Sequence, residues 1–398
     1  DHIKNGLICA GHDIGSGGLI TSLLELCFPS ISVGMTLDFK LINEKDLIKI
    51  LFSEKVGVVL QSNEDLAVSF AKEGINAVKV GTVNLSGVLK IEEFYIKVKE
   101  LRKIWMSTSS KLETKQTKRE LATIRLENVT KQPLLFRFPQ KFDGKTPKYK
   151  SNRIKAAVLR EKGSNSEREM AYMMDLCGFD VVDVHMTDLI EGREKLDEIQ
   201  LLVAVGGFSN SDVLGSAKGW AGTFRYNSNA KRALENFFHR DNTLSLGVCN
   251  GCQLFIELGL LNPDHIEKPK MLHNESGKFE CIFTSVNILP SNSIFLNGLE
   301  GSTLGIWAAH GEGKFVFPKT ENNYQIPAKY LYNEYPSNPN GSEYNAAMLS
   351  SFDGRHLVMM PHLERSTYPW NWGIYPNERK DEVSPWIKVF DNAYNWLK

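Results

Sequence analysis

The 398-residue sequence predicts an α/β fold in which a doubly wound, mainly parallel sheet over 154–398 follows a smaller α+β unit over 1–102. Three observations predict it. After Ile154, apolar strands alternate with helical sequence, the pattern of a parallel sheet covered by crossover helices. Before about Val98, short β-rich runs alternate with apolar helices. Between them, 103–153 turns polar and basic and then rich in Pro and Gly, as a linker does.

Taken in order, "GGLITSLLELCF", "KDLIKILFSE" and "EDLAVSFAKEG" carry helical spacing, while "VGMTLDF", "VGVVLQS", "AVKVGTV" and "LKIEEFYIKV" are β-rich. In the linker, "STSSKLETKQTKRELATIRLENVTKQ" is charged and partly helical, and "RFPQKFDGKTPKYKSNR" is basic; both are expected to drape over a surface. The second domain opens with a strand, a turn, an amphipathic helix and a strand in "IKAAVLREKGSNSEREMAYMMDLCGFDVVDVHM". "IQLLVAVGG" and "TLSLGVCNG" supply two further strands, with a helix over Asn229 to Arg240 between them. "KFECIFTSVNIL", "TLGIWAAHGEGKFVF" and "YNAAMLSSFDGRHLVMMPH" are strand-rich, and "PWIKVFDNAYNWLK" closes the chain as an amphipathic helix.

Composition narrows the function. With 42% hydrophobic and 24% charged residues the chain has the make-up of a globular protein, and 47 basic residues against 47 acidic ones build in no attraction for nucleic acid or an anionic membrane. No run approaches the roughly 20 apolar residues of a bilayer span, and the N-terminus lacks a leader pattern. A cytoplasmic address is expected, with no nucleic-acid or membrane partner. Starting at Asp1 without Met, directly in structured-looking sequence, suggests a piece of something longer. The six cysteines are scattered and several lie in apolar runs, so they read as reduced thiols.

Two of those cysteines carry the chemical question. In "SLGVCNGCQLF", Cys249 and Cys252 could be a redox pair, half of a zinc site, or one nucleophile. No second close pair completes a zinc set, so no metal site is expected. The third reading places Cys249 on a sharp turn between the strand "LSLGV" and the helix "NGCQLFIELGLL", with Gly247 and Gly251 relieving crowding. Unpaired N–H groups of the first helical turn would then favour a thiolate by several tenths of a kcal/mol to about 2 kcal/mol. One of them could also hold an oxyanion. Cys252 would face inward as a small buried thiol.

A nucleophile needs a base, and the base an orienting group. Among nine histidines the best placed is His362 in "VMMPHLERS", at the end of the buried run "HLVMM". Pro361 favours extended geometry before it, and residues two apart in an extended chain project to one side, so Glu364 can reach one ring nitrogen while the other faces Cys249. The strand "LLVAV" ends in "GGFSNSDVLGSAKGWAG", where backbone N–H groups near Gly207 and Phe208 could complete an oxyanion hole with Asn250.

These residues carry a resemblance. "GVCNGCQ" fits the G-x-C-x-G-x-Q motif of the class I, triad-type glutamine amidotransferases, and "GGFSNSDVLGSAKGWA", "HGEGKF" and "MPHLERS" resemble the versions in the formylglycinamide ribonucleotide amidotransferase family of purine synthesis. "GHDIGSGGLITSLLEL" and "LFSEKVGVVLQS" are similar to the last part of an aminoimidazole-ribonucleotide-synthetase-like domain. The resemblance implies Cys249 as nucleophile, His362 as general base and acid, and Glu364 as its orienter. It also implies Gly207, Phe208 and Asn250 at the oxyanion hole, Gln253 holding substrate glutamine, and His310 close to the site. Two departures stand out: Gly15 and Ser16 replace a common Ser and Asp, and Leu363 replaces a common Pro, on the face opposite His362 and Glu364. The implied partners are glutamine and upstream synthetase domains of the same chain. The implied cofactors are none for glutamine hydrolysis, and ATP with Mg2+ for the whole synthetase. Another amidotransferase's glutaminase, a CxxC redox protein and a non-catalytic scaffold are the alternatives.

Overall fold

The computed structural model describes residues 1–149 and 153–398; positions 150–152, at the end of the expected linker, lie outside the described residues. Two compact units emerge, Asp1–Lys115 with Val129–Lys131, and Gln116–Asn128 with Gln132–Lys398.

In the first unit the strands Gly81–Asn84, Gly34–Leu37, Val88–Ile91 and Phe94–Lys97 form a four-stranded sheet in that order. Helix Gly18–Cys27 buries Leu19, Ile20, Leu23 and Cys27, the i, i+3, i+4 spacing of a one-sided apolar stripe. The run "LKIEEFYIKV" is a hairpin rather than one strand, because Glu92 turns the chain at φ 50. A strand the sequence did not announce, Ile8–Asp13, pairs antiparallel with Val58–Ser62. Its residues alternate between half-buried and exposed, so its apolar signal is weak.

The stretch 103–149 holds the end of helix Val98–Trp105 and helices Ser107–Gln116 and Arg119–Asn128. The last of these buries Ala122 and Asn128, and Asn128 Nδ2 donates to the Tyr335 carbonyl at 2.8 Å. Further on, Arg137 and Thr303 exchange two backbone hydrogen bonds of 2.9 Å. Phe136 and Phe138 pack on Trp372, with ring centroids 5.3 and 5.7 Å away.

The second unit is built on a six-stranded sheet ordered Met348–Ser350, His356–Met359, Leu244–Val248, Leu201–Ala204, Ile154–Arg160, Phe179–His185. All neighbours run parallel except the first pair. Three of the four inner strands, those from Leu201, Leu244 and His356, are buried at every position, as strands covered on both faces are. From Ile154–Arg160 the chain steps outward to Phe179–His185 and then returns past its start to Leu201–Ala204. The direction of winding therefore reverses between these strands, and the crevice at such a switch point, beyond the carboxyl ends, is where this architecture binds ligands. A separate antiparallel sheet, Thr303–His310, Glu280–Ile288 and Ala328–Tyr330, sets His310 opposite Glu280. Helix Ile387–Leu397 closes the unit, burying Ile387, Val389, Phe390, Ala393 and Tyr394.

Candidate active site

The strand Leu244–Val248 ends at Cys249, which has φ 52 and ψ −104 and caps helix Asn250–Glu257. A non-glycine residue here is strained, and strain of this kind turns the side chain out of the sheet. The neighbouring glycines make room for the turn. A Cβ on Gly247 would lie 2.6 Å from the Gly251 carbonyl oxygen, and one on Gly251 would lie 2.0 Å from that of Ala204. The Cys249 N–H donates to Met359 O at 2.8 Å, which ties the elbow to the adjacent strand His356–Met359.

That adjacent strand delivers His362 three residues beyond its end. Its backbone N–H donates to Trp307 O at 2.7 Å, and its ring, 1% exposed, donates from Nδ1 to Glu364 Oε1 at 2.6 Å. A Cβ on Gly206 would meet His362 Cε1 at 2.8 Å and Cys249 Cβ at 3.3 Å, so ring and cysteine converge on the same small volume. The Sγ lies 3.7 Å from Ala309 O, and His362 Nε2 is without a hydrogen-bond partner among the described residues. Burial alone would push the His362 pKa down, but the adjacent Glu364 charge and Cys249 outweigh it and hold it up at about 10. Glu364 is likewise buried; burial opposes its charge, yet the His362 interaction keeps its pKa below the usual carboxylate range. Cys252 is fully buried, which pushes its thiol well above the ordinary value.

Cys249 and His362 open into a cavity of about 240 Å3 also lined by Gly207, Gln253 and His310. Gly207 has φ +120, and a Cβ there would sit 2.5 Å from Ser164 Cα. Two expectations change at this point. The Phe208 N–H donates to Gly163 O at 2.9 Å and is therefore already engaged, whereas the bridge leaves the Gly207 N–H outside that bond. Gln253 is engaged at both ends: its Oε1 accepts from Asn250 Nδ2 at 2.9 Å and its Nε2 donates to Glu312 O at 2.7 Å. Asn250 Oδ1 in turn accepts from the Ser209 N–H at 3.1 Å, so a buried Asn250 supports Gln253 from behind the cavity. His310 is 2% exposed, with neither ring nitrogen partnered among the described residues, and burial with the nearby His362 lowers its pKa to about 3.

Asp212, Glu312 and Arg365 are among the lining residues that escaped the sequence reading. Each stands in a quoted motif, "GGFSNSDVLG", "HGEGKF" and "PHLERS", but a charge in a loop gives no local sign of facing a cavity.

The doubly wound sheet, with a strained cysteine at a strand-to-helix turn beside a buried His–Glu pair, defines an α/β domain with its cavity at the carboxyl ends of the strands. Residues 153–397 match the family model of the CobB/CobQ-like glutamine amidotransferase domain, and the chain belongs to that family. Residues 1–92 match the AIR synthase related protein, C-terminal domain. The chain is 39% identical to the probable chloroplastic/mitochondrial phosphoribosylformylglycinamidine synthase of Arabidopsis thaliana, covering 100% of this chain and 30% of that protein. With the phosphoribosylformylglycinamidine synthase of Homo sapiens it shares 37% identity, over 99% of this chain and 32% of the relative. The chain thus spans about a third of the length of these curated relatives. A chain of the solved PurLQS structure from Thermotoga maritima aligns with 62% of this chain and 100% of its own length, at 27% identity and a TM-score of 0.49. No helix among the described residues is long and apolar enough to cross a membrane.

Proposed function

We propose that the chain is the glutaminase portion of a phosphoribosylformylglycinamidine synthase, releasing ammonia from glutamine for purine synthesis. The observation that carries this reading is the convergence of Cys249 and His362 on one cavity, with Glu364 2.6 Å from the far ring nitrogen. In it, Glu364 holds His362 as an imidazolium and Cys249 as the thiolate that attacks the glutamine carboxamide carbon. The oxyanion forms against the N–H groups of Gly207 and Asn250, the latter at the start of a helix where it has no partner within the turn. His362 gives its proton to the leaving ammonia, and water, activated by the same ring, then releases glutamate from the thioester.

Hydrolysis of glutamine in this reading draws on no cofactor. ATP and Mg2+ serve the synthetase domains, where ammonia converts formylglycinamide ribonucleotide to formylglycinamidine ribonucleotide. The first unit docks against those domains rather than catalysing, and its exposed Ile48, Val56, Val68 and Leu85 supply apolar surface for it. A cytoplasmic address belongs to the same proposal.

The test is glutamine hydrolysis and ammonia-dependent synthesis in the full-length enzyme carrying Cys249→Ala or Cys252→Ala. The first variant is expected to lose glutamine hydrolysis and keep ammonia-dependent synthesis; the second is expected to keep both. Hydrolysis surviving in Cys249→Ala, or abolished by Cys252→Ala alone, would end the proposal.

A further inference from the structure

We propose that Thr117 and Arg125, in a segment that lies outside the matched amidotransferase domain, are positioning residues of the glutaminase that hold one wall of its cavity in shape. The inference rests on the reading of that cavity as the glutaminase site and names what fastens it from outside.

The wall is the loop from His273 to Phe279, between the strands Lys270–Leu272 and Glu280–Ile288. His273, Gly277, Lys278 and Phe279 of this loop line the cavity. Outside a helix or sheet, a segment keeps one shape only through hydrogen bonds to its surroundings. On the inner side Asn274, 3% exposed, supplies them. Its N–H donates to Gly311 O at 2.8 Å, its Nδ2 donates to Lys278 O at 3.0 Å and to His310 O at 2.6 Å, and its Oδ1 accepts from the Gly313 N–H at 3.0 Å. The loop is thereby fastened to the end of the strand Thr303–His310, next to Ala309, whose carbonyl lies 3.7 Å from Cys249 Sγ.

On the outer side the fastening comes from helix Arg119–Asn128 and the threonine just before it. Thr117 Oγ1 donates to Ser276 O at 2.6 Å, in the middle of the loop. Arg125 Nη1 donates to the Tyr335 hydroxyl at 3.0 Å, and that hydroxyl donates in turn to Glu280 Oε1 at 3.0 Å. Arg125 Nη1 also lies 3.8 Å from Glu280 Oε2, and Lys278 Nζ lies 3.9 Å from Glu280 Oε1. Glu280 is 3% exposed, and a carboxylate so buried is kept only with charged and hydrogen-bonding partners around it. It therefore gathers Lys278 of the wall and Arg125 of the helix at one point. The reacting groups are held by other segments: the Cys249 N–H by Met359 O and the His362 N–H by Trp307 O. Loosening the helix should for that reason weaken glutamine binding and spare the chemical step.

The test measures kcat and KM for glutamine hydrolysis in the full-length enzyme carrying Thr117→Val, Arg125→Met, Arg125→Lys or Arg119→Met. Thr117→Val and Arg125→Met are each expected to raise KM at least fivefold and to change kcat less than twofold. Arg125→Lys, which keeps the charge, should give a KM between those of Arg125→Met and the parent. Arg119→Met makes the same charge change at an exposed position of the same helix and should stay within twofold of the parent. A parental KM in both Thr117→Val and Arg125→Met, a loss carried by kcat, or an equal rise of KM in Arg119→Met would overturn the inference. If Arg125→Met does not fold, Thr117→Val, which exchanges only a hydroxyl for a methyl group, reads the same KM. A parent enzyme that does not hydrolyse glutamine overturns the glutaminase reading and this inference with it, whereas hydrolysis with KM unchanged in both variants overturns the inference alone.

Discussion

His362 is a buried imidazole whose charge depends on two neighbours. Burial disfavours the imidazolium, and the Glu364 carboxylate 2.6 Å away, together with Cys249, more than reverses that effect. Replacing Glu364 by Gln removes the charge and keeps the shape, so the His362 pKa should fall. Glutamine hydrolysis is expected to drop by about 10^2- to 10^4-fold, within the range for losing an oriented acid–base partner. The alkylation rate of Cys249 by iodoacetamide at pH 7 should fall with it; an unchanged rate would show that Glu364 does not hold the ion pair. This pair could be nominated from "PHLER" alone because its two members are two residues apart. Asp212 and Glu312 could not, since they stand a hundred positions apart in sequence and are joined only through Ser216.

Among the elements, the elbow between Leu244–Val248 and Asn250–Glu257 carries the tightest contact around the cavity. The helix approaches the neighbouring strand so closely that a methyl group on Gly251 would sit 2.0 Å from Ala204 O, a backbone atom that cannot rotate away. Gly251→Ala should therefore cost about 1–3 kcal/mol and displace Cys249. Urea unfolding and glutamine hydrolysis read the two effects. Gly222, in helix Lys218–Tyr226, meets nothing within 4 Å, so Gly222→Ala should be neutral or stabilise by up to about 1 kcal/mol. Equal losses in the two variants would show that general helix disruption, not the close approach, is being measured. The elbow was legible from glycine spacing and a strand-to-helix change in pattern. The hairpin at Glu92 and the strand Ile8–Asp13 were less so, because neither has a glycine turn or a clean apolar alternation to announce it.

At the scale of the whole molecule, two separate apolar cores hold two units, and buried histidines make the second sensitive to acid. His356, 4% exposed and bonded through Nδ1 to Ser245 Oγ at 2.9 Å, has its pKa lowered by burial to about 4, and that of His310 is lowered to about 3. Unfolded, both rings titrate near the ordinary value of about 6.5. The unfolded chain therefore binds more protons between about pH 6.5 and 4, and stability from these groups is lost as pH falls through that window. His362 has the opposite sign: its pKa is raised, so its contribution is present below about pH 6.5 and is lost as pH rises toward about 10. The urea midpoint of the second unit should drop between pH 7 and pH 5, by less in His356→Asn than in the parent. A midpoint that does not move over that range would rule out neutral buried rings as the cause.

The alternation of apolar strands with helices, the glycines around Cys249 and the short His–Glu spacing are local, and local steric and periodic rules were enough to place the sheet, the elbow and the candidate pair in the sequence. Which groups the cavity leaves free depends on segments far apart in the chain. The Phe208 N–H is engaged because Gly163 lies beside it, the Gln253 amide because Glu312 and Asn250 do, and Asp212 meets Glu312 only once the strand carrying His310 packs against the elbow. Hydrogen-bond satisfaction and charge proximity in a cavity are properties of the packed chain, and only the tertiary structure could decide them.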